Sequence, residues 1–173
     1  MLDIDKSATI LSLVAYLREN ESWTGETHVQ KAMFFLDKKC NVPTSFNFIL
    51  YKHGPYSFDL HETLATLFAT CLLEHQVQLR YGPRIQLTDS GKKFLGKYAQ
   101  QISSKENSIK TVATWFGRKG VAELEKVATA LWVQKESPAL PDVVKAERVH
   151  EIKPHIPVED ASQALQTVAA LPW

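Results

Sequence analysis

The chain has 173 residues, of which 45% are hydrophobic and 23% charged, so it can bury a sizeable core and intrinsic disorder is excluded. Twenty Lys and Arg against nineteen Asp and Glu leave a net charge of +1, which gives no long-range field for collecting nucleic acid or an anionic membrane. The sequence lacks both the pattern of a secretory signal and the roughly 20 apolar residues of a membrane span, so a cytoplasmic location is expected.

Two helices are predicted in the first forty residues. Apolar residues at helical spacing predict an amphipathic helix over about 7–20, with Ser7 available as its cap. After a polar break, a second helix is predicted from Thr27 to about residue 39. Its lysines are expected on the outer side, at Lys31, Lys38 and Lys39.

A strand and a sharp turn come next. The run 46–51 alternates and is dense in aromatic and branched residues, which predicts a short strand. Gly54 permits a backbone angle that other residues avoid, and Pro55 fixes the angle after it. Ser57 is then placed to cap a helix, so the segment predicts a rigid strand-to-helix corner.

The following segment predicts a β-hairpin and another helix. Alternating apolar residues over 77–81 and 85–87 enclose a Gly-Pro turn, and the tip of this hairpin is expected to carry Arg80 and Arg84. Thr88 opens the next helix. The order helix, helix, strand, helix, hairpin, helix is nearly that of a winged helix.

Residues 103–173 begin with a short polar joint. The apolar residues after it recur at helical spacing and predict further helices, one of them over 142–152. We therefore expect a mainly α fold with a small β-hairpin. Residues 1–102 would form a winged-helix-like core, and residues 103–173 a C-terminal helical extension packed on it as one unit.

No set of residues in the sequence forms a recognisable active site. Ser57 is better explained as a helix cap than as a nucleophile, because nothing pairs it with a base and no Gly-x-Ser-x-Gly motif is present. Neither nucleotide-binding glycine loop occurs, so no cofactor is expected. A hydrolase or nuclease is therefore the third hypothesis for the function, after a protein-binding regulator and a DNA-binding regulator.

The candidate metal ligands match no standard spacing: His28, His53, His61, Cys40 and Cys71. Turn and helix-surface histidines are the favoured interpretation. The two cysteines lack a Cys-x-x-Cys spacing and are predicted to be reduced, mostly buried thiols.

DNA binding is an alternative that the charge pattern disfavours. The helix before the hairpin has no Lys or Arg and carries Asp59 and Glu62 in its first turns, where it would meet phosphate. Arg80 and Arg84 are favoured as solvated tip residues. A DNA-binding surface would need basic side chains to converge, from the set Lys31, Lys38, Lys39, Lys92, Lys93 and Lys97.

Aromatic residues concentrate around the Gly-Pro turn, at Tyr51, Tyr56 and Phe58. The favoured interpretation is that these rings fill core space, since most aromatic clusters do. The other interpretation is an anchor for a partner, with Tyr56 partly exposed. Trp173 is expected to dock against its own chain rather than another.

Three segments resemble the YwgA-like and phage-associated proteins related to the SocA-like antitoxin (Panacea) domain. They read THVQKAMFFL over 27–36, FILYKHGPYSFDL over 48–60 and LTDSGKKF over 87–94. The segments ELEKVATALW, over 123–132, and VHEIKPHI, over 149–156, also look like the YwgA-type ending. His53 departs from the family pattern, which has an aromatic residue before Gly-Pro.

The resemblance implies a winged-helix-like core with added helices, a prokaryotic or phage origin, and a protein-binding role without catalytic residues. Such a role would be neutralising a toxin or delivering a client to a protease, and a complex subunit or a homodimer is left open. The expected partner surface comprises Tyr51, His53, Gly54, Pro55, Tyr56, Phe58 and Asp59. The alternative is a winged-helix transcription regulator that binds DNA through Arg80, Arg84, Lys92 and Lys93.

Overall fold

The computed structural model describes residues 3–78 and 82–173, which are mainly helical with two small antiparallel hairpins. The helices are α1 (Ile4–Glu19), α2 (Glu26–Lys38), α3 (Phe58–Ala69), α4 (Asp89–Lys97), α5 (Ala99–Ile102), α6 (Glu106–Phe116), α7 (Val121–Glu136), α8 (Asp142–Ile152) and α9 (Val158–Ala170). The strands are β1 (Ile49–Tyr51), β2 (Gly54–Tyr56), β3 (Leu73–Gln76) and β4 (Arg84–Leu87). None of the helices in this described part combines the length and apolar run needed to cross a bilayer.

Helices α1 and α2 lie at the centre of the molecule. The expected cap of α1 was wrong, because Asp3 accepts the hydrogen bond from the Lys6 N–H while Ser7 is buried inside the helix. Every residue of α2 from His28 to Leu36 is buried, since α1, α6, α7 and β2 all pack against this helix. Lys31 is therefore 1% exposed, and its expected position on an outer face was wrong.

The predicted strand-to-helix corner is instead a complete β-hairpin. Strand β1 starts at Ile49 rather than residue 46, and β2 folds back on it with Ile49 opposite Tyr56 and Tyr51 opposite Gly54. Pro55 is tolerated because β2 is an edge strand in a two-stranded sheet. The Gly-Pro pair thus lies inside a strand, and Ser57 then caps α3 by accepting the N–H of Leu60.

The second hairpin, β3–β4, follows α3. Leu73 pairs with Leu87 and Gln76 with Arg84, so β3 ends before the alternating run that predicted it. Residues 79–81, where much of that run lies, are outside the described residues. Helix α4 follows Thr88 as expected, and Thr88 caps it by accepting the N–H of Gly91.

The predicted helices of the C-terminal part are confirmed, including 142–152 to the residue. Helix α6 packs on α1 and α2, α7 packs on α2, and α8 and α9 pack on α7. One continuous cluster of buried side chains draws on both parts of the chain. Trp173 packs on its own chain, with ring centroids 6.2 Å from Phe35 and 5.9 Å from Trp115. The expectation that the terminal Trp docks intramolecularly is confirmed.

The two cysteines are free thiols in different surroundings. Cys40 is half-buried, and burial raises the pKa of its thiol to about 11. Cys71 is exposed in the turn after α3, where its backbone has a φ of 56°. The expectation of a mostly buried thiol was therefore wrong for Cys71.

Candidate protein-binding surface

The β1–β2 hairpin has two distinct faces. Side chains two apart on a strand and directly opposite across an antiparallel pair point to the same side of the sheet. Ile49, Tyr51 and Tyr56 therefore share one face, and Leu50 and Pro55 share the other. Pro55 is buried, whereas Ile49 is 46% and Tyr51 44% exposed, so the aromatic face points to solvent.

The aromatic patch consists of Tyr51, Tyr56 and Phe58, whose rings contact one another. The centroids of Tyr51 and Phe58 are 5.6 Å apart, and those of Tyr56 and Phe58 are 5.2 Å apart. Phe58, the first residue of α3, is 51% exposed and Tyr56 is half-buried. The favoured interpretation of these rings as core residues was wrong, because they pack on each other at the surface.

Lys31 fastens the inner side of this hairpin to α2. Its Nζ donates a hydrogen bond to the carbonyl oxygen of Pro55 at 2.8 Å. The pKa of Lys31 is lowered to about 8, mainly by burial and also by the charge of Lys153, while the carboxylate of Glu125 acts in the opposite direction. The amine is thus held in a buried position by a backbone acceptor that belongs to the patch-bearing hairpin.

Lys153 fastens the turn of the same hairpin to the C-terminal helices. Its Nζ donates to the carbonyl oxygen of Tyr51 at 2.7 Å and also to that of Lys52. The buried carboxylate of Glu125, on α7, lies 3.5 Å from this Nζ and 3.2 Å from Nε2 of His155. This polar cluster has no local signal in the sequence, since its members are far apart along the chain.

Gly54 is required where the hairpin meets α7. Its φ is +87°, and a Cβ there would stand 3.1 Å from Thr129 Oγ1, a tighter contact than side chains normally make. Gly54 and Pro55 are both buried. Of the expected partner residues, these two shape the hairpin from inside rather than present a surface.

A hydrogen-bond network joins the patch to the start of α2. The Tyr56 hydroxyl donates to Glu26 Oε1 at 3.0 Å, and Nδ1 of His61 lies 2.8 Å from the same oxygen. Burial and the hydrogen bond to Glu26 together raise the pKa of Tyr56 to about 12. Tyr56 is therefore a neutral donor held in one orientation, and its ring has little freedom left to lose on binding.

The surroundings of the patch are acidic. Asp59 and Glu62 are exposed on α3, which has no Lys or Arg, and Asp59 accepts a hydrogen bond from the Asn47 amide at 3.3 Å. His53 is exposed in the hairpin turn. A partner with apolar and basic side chains would be complementary to this surface.

Two residues of the DNA-binding alternative that the structure describes, Arg84 and Lys92, are paired within the chain. Arg84 is half-buried, and its guanidinium donates to the carbonyl oxygens of Trp23 at 3.0 Å and Ser22 at 2.9 Å. Its expected role as a solvated tip residue was wrong. Lys92 pairs with Asp89 at 3.1 Å and Lys93 is exposed, whereas Arg80 lies outside the described residues.

A cleft of about 970 Å³ adjoins the patch on the far side of Glu26 and His61. It lies between the starts of α2 and α7, helix α3 and the β3–β4 hairpin. His28 lines it and is 2% exposed, with Nε2 3.2 Å from the carbonyl oxygen of Lys119. Burial lowers the pKa of His28, outweighing the hydrogen bond to Lys119, so the ring is kept neutral.

The described residues contain no group of three or more His, Cys, Asp or Glu side chains placed to hold a metal ion. No protein-family model matches the sequence, and no curated protein matches it either. The resemblance to the YwgA-like and SocA-like proteins thus stays a prediction, based on the sequence segments alone.

Proposed function

We propose that this chain is a non-enzymatic, protein-binding regulator, antitoxin-like or proteolytic-adaptor-like, that captures a partner through the aromatic patch. One observation carries the proposal: three mutually packed aromatic rings face solvent, two of them on a hairpin whose backbone is held from inside and the third at the start of α3. Aromatic residues held in this way dominate the energetics of many interfaces, because they bury a large area and lose little entropy.

The arrangement of the helices and strands also supports a protein-binding role. We take α1–α4 with the β3–β4 hairpin as a winged-helix-like core, with α3 in the place of the recognition helix and β3–β4 as the wing. Helix α3 carries Asp59 and Glu62 and has no basic residue, so this core is better suited to a protein than to phosphate. The proposal includes a cytoplasmic location and the prokaryotic or phage origin that the resemblance implies.

The test is a pull-down with the tagged chain from the organism that encodes it, beside the double variant Tyr51→Ser/Phe58→Ser. Both side chains are about half exposed and make no side-chain hydrogen bond in the described structure, so the variant should fold. The matched control is Val143→Ser, a 69% exposed apolar residue on α8. We expect one stoichiometric partner, bound at least about 30-fold more weakly by the double variant and unchanged by the control.

Two results would count against this function. Equal capture by the wild type and the double variant would remove the aromatic patch as the binding surface. Recovery of nucleic acid without a protein, with an affinity that falls steeply as salt rises, would favour the transcription regulator.

A further inference from the structure

The segment that carries β1 has the burial pattern of a longer strand. From residue 46 to residue 51, buried or half-buried side chains alternate with exposed ones, as in a strand that has one covered face. The covered side chains are Phe46, Phe48 and Leu50, and the exposed ones are Asn47, Ile49 and Tyr51. The left-handed backbone of Ser45, with a φ of 58°, ends this run. Strand β2 pairs only with the second half of the run, since its first residues lie opposite the start of α3.

One edge of the β1–β2 hairpin is closed by α2. The carbonyl oxygen of Pro55 accepts a hydrogen bond from Lys31 Nζ at 2.8 Å. Ser57, which follows β2, donates its N–H to Gln30 Oε1 at 2.9 Å and accepts from Gln30 Nε2 at 3.0 Å. Helices α2 and α7 pack on β2, whereas β1 packs mainly on β2 itself. The other edge of the hairpin, along β1, is therefore the outer one.

The backbone groups on this outer edge have no partner. Pro55 has no N–H and cannot exchange hydrogen bonds with Leu50 opposite it, so the N–H and C=O of Leu50 point away from β2. The alternation along a strand places the same groups of Phe46 and Phe48 on the outer edge. In the described part of the chain, these groups of Phe46 and Phe48 form no hydrogen bond. Because buried N–H groups rarely stay unpaired, they face water or a partner.

The outer edge also lacks the usual protection against pairing. Natural edge strands carry charged side chains, Pro or a bulge. No charged residue lies over 40–51, and the run over 46–51 contains neither Pro nor Gly, a composition that favours pairing with another strand. The second hairpin is better protected, since the Ile85 N–H on β4 donates to the Thr24 carbonyl and β3 exposes Glu74.

The outer edge is complementary to itself. In an antiparallel pair of two copies centred on Phe48, this residue exchanges both backbone hydrogen bonds with Phe48 of the second copy, and Phe46 does so with Leu50. Asn47 then lies beside Ile49 of the second copy on the exposed face. No like charges meet, because the run has none. Such an interface has the two-fold symmetry of most dimers.

We propose that a second copy of this chain pairs with residues 46–50 along the outer edge of β1. The two hairpins then form one four-stranded sheet in the order β2–β1–β1–β2, with the β1 strands antiparallel. Both aromatic patches lie on the same face of this sheet, so the dimer presents two of them side by side. The pairing uses backbone groups and does not depend on the function proposed for the patch.

Sedimentation velocity of the full chain, over protein concentrations of about 5–300 µM, tests the dimer. We expect the mean mass to rise from the 19.5 kDa of one chain towards twice that value. A mass of one chain at every concentration would overturn the proposal and leave the edge to a strand from another protein.

A charge variant tests the register. Asn47→Lys/Ile49→Lys places lysines directly opposite each other in the paired strands, so dimerisation should weaken at least about tenfold. Both side chains are exposed, and circular dichroism checks that the variant folds. The matched control is Val143→Lys/Val144→Lys, which adds the same charge to the exposed side of α8 and should dimerise as the wild type does. Equal weakening in both variants would overturn the pairing.

The complementary variant Asn47→Glu/Ile49→Glu provides a rescue. Each charged variant should be monomeric alone, and a one-to-one mixture should dimerise because opposite charges then face each other across the strands. A mixture that stays monomeric, with both variants folded, would contradict the proposed register.

Amide hydrogen exchange locates the interface. The N–H groups of Phe46, Phe48 and Leu50 should exchange at least about tenfold more slowly in the concentrated wild type than in the lysine variant. Tyr51→Ser/Phe58→Ser leaves the backbone edge intact and should still dimerise. If this variant is monomeric, or if the three amides exchange equally fast in wild type and lysine variant, the copies do not pair through this edge.

Discussion

At the scale of single residues, Gly91 is fixed by a close backbone approach. It lies in the first turn of α4, and a Cβ there would overlap the carbonyl oxygen of Leu72. We expect Gly91→Ala to lower the free energy of unfolding by about 1–3 kcal/mol, because the helix must move away from that backbone. Urea denaturation measures the change. Gly96→Ala, in open space on the same helix, should be neutral or slightly stabilising.

Lys31 makes the stability of the folded chain vary with pH in the alkaline range. Its pKa in the folded chain is about 8, against an ordinary value of 10.5. Between these two pH values the unfolded chain holds the proton and the folded chain does not, so stability rises with pH in this window. Below about pH 8 the full cost of burying the charge is present in the folded chain.

Lys31→Met removes this titration. From pH 7 to pH 10 we expect the wild type to gain about 2–3 kcal/mol of stability relative to the variant. Urea denaturation at four pH values gives the difference, and the exposed Lys93→Met should run parallel to the wild type. A difference between wild type and Lys31→Met that stays constant with pH would show that Lys31 does not lose its proton in this window.

At the scale of elements, Arg84 attaches the β3–β4 hairpin to the loop between α1 and α2. Its side chain donates to the carbonyl oxygens of Ser22 and Trp23, and the Ile85 N–H donates to the Thr24 carbonyl at 2.8 Å. We expect Arg84→Met to lower the free energy of unfolding by about 1–3 kcal/mol, since two carbonyl groups lose a donor.

The same variant separates structure from DNA binding. If Arg84 were a phosphate contact, Arg84→Met would weaken binding to a duplex and leave stability intact. We expect Arg84→Met to lower stability and to leave any weak binding to a random-sequence duplex unchanged. Fluorescence polarisation measures that binding. Lys93→Met serves as the exposed control in both measurements.

The elements that sequence predicts well are those with local signals at both ends. Helix α8 starts after Pro141 and ends before Lys153-Pro154. Ser57 caps α3 as expected, and α4 starts after Thr88 as expected. The prediction at Gly54-Pro55 failed, because this pair is compatible both with a strand-to-helix corner and with an edge strand. Only the pairing of this segment with strand β1 distinguishes the corner from the edge strand.

The candidate site was predictable in position but not in orientation. The aromatic residues around Gly54 stand out in the sequence, yet nothing local decides which side of a hairpin is covered. The covering elements are α2 and α7, and α7 is some seventy residues away along the chain. The buried position of Lys31 depends on the same distant packing.

At the scale of the whole molecule, Phe35 on α2 shows how the two parts of the chain depend on each other. Its ring lies 5.2 Å from Trp115, 5.3 Å from Phe116 and 6.2 Å from Trp173, measured between centroids. These three rings come from the C-terminal part. Without them, a fully buried face of α2 would be open to water.

A fragment of residues 1–102 should therefore not unfold cooperatively, whereas the full chain should unfold in one transition. The fragment loses the helices that cover α1 and α2, and with them much of the apolar burial that opposes chain entropy. Circular dichroism during urea titration distinguishes a sigmoid from a gradual slope. Trp173→Ala, which removes one half-buried ring and leaves α6–α9 in place, should retain a single sigmoid with a lower midpoint. A cooperative transition in the fragment would instead show that residues 1–102 hold their own core and that the C-terminal helices are added to a fold complete without them.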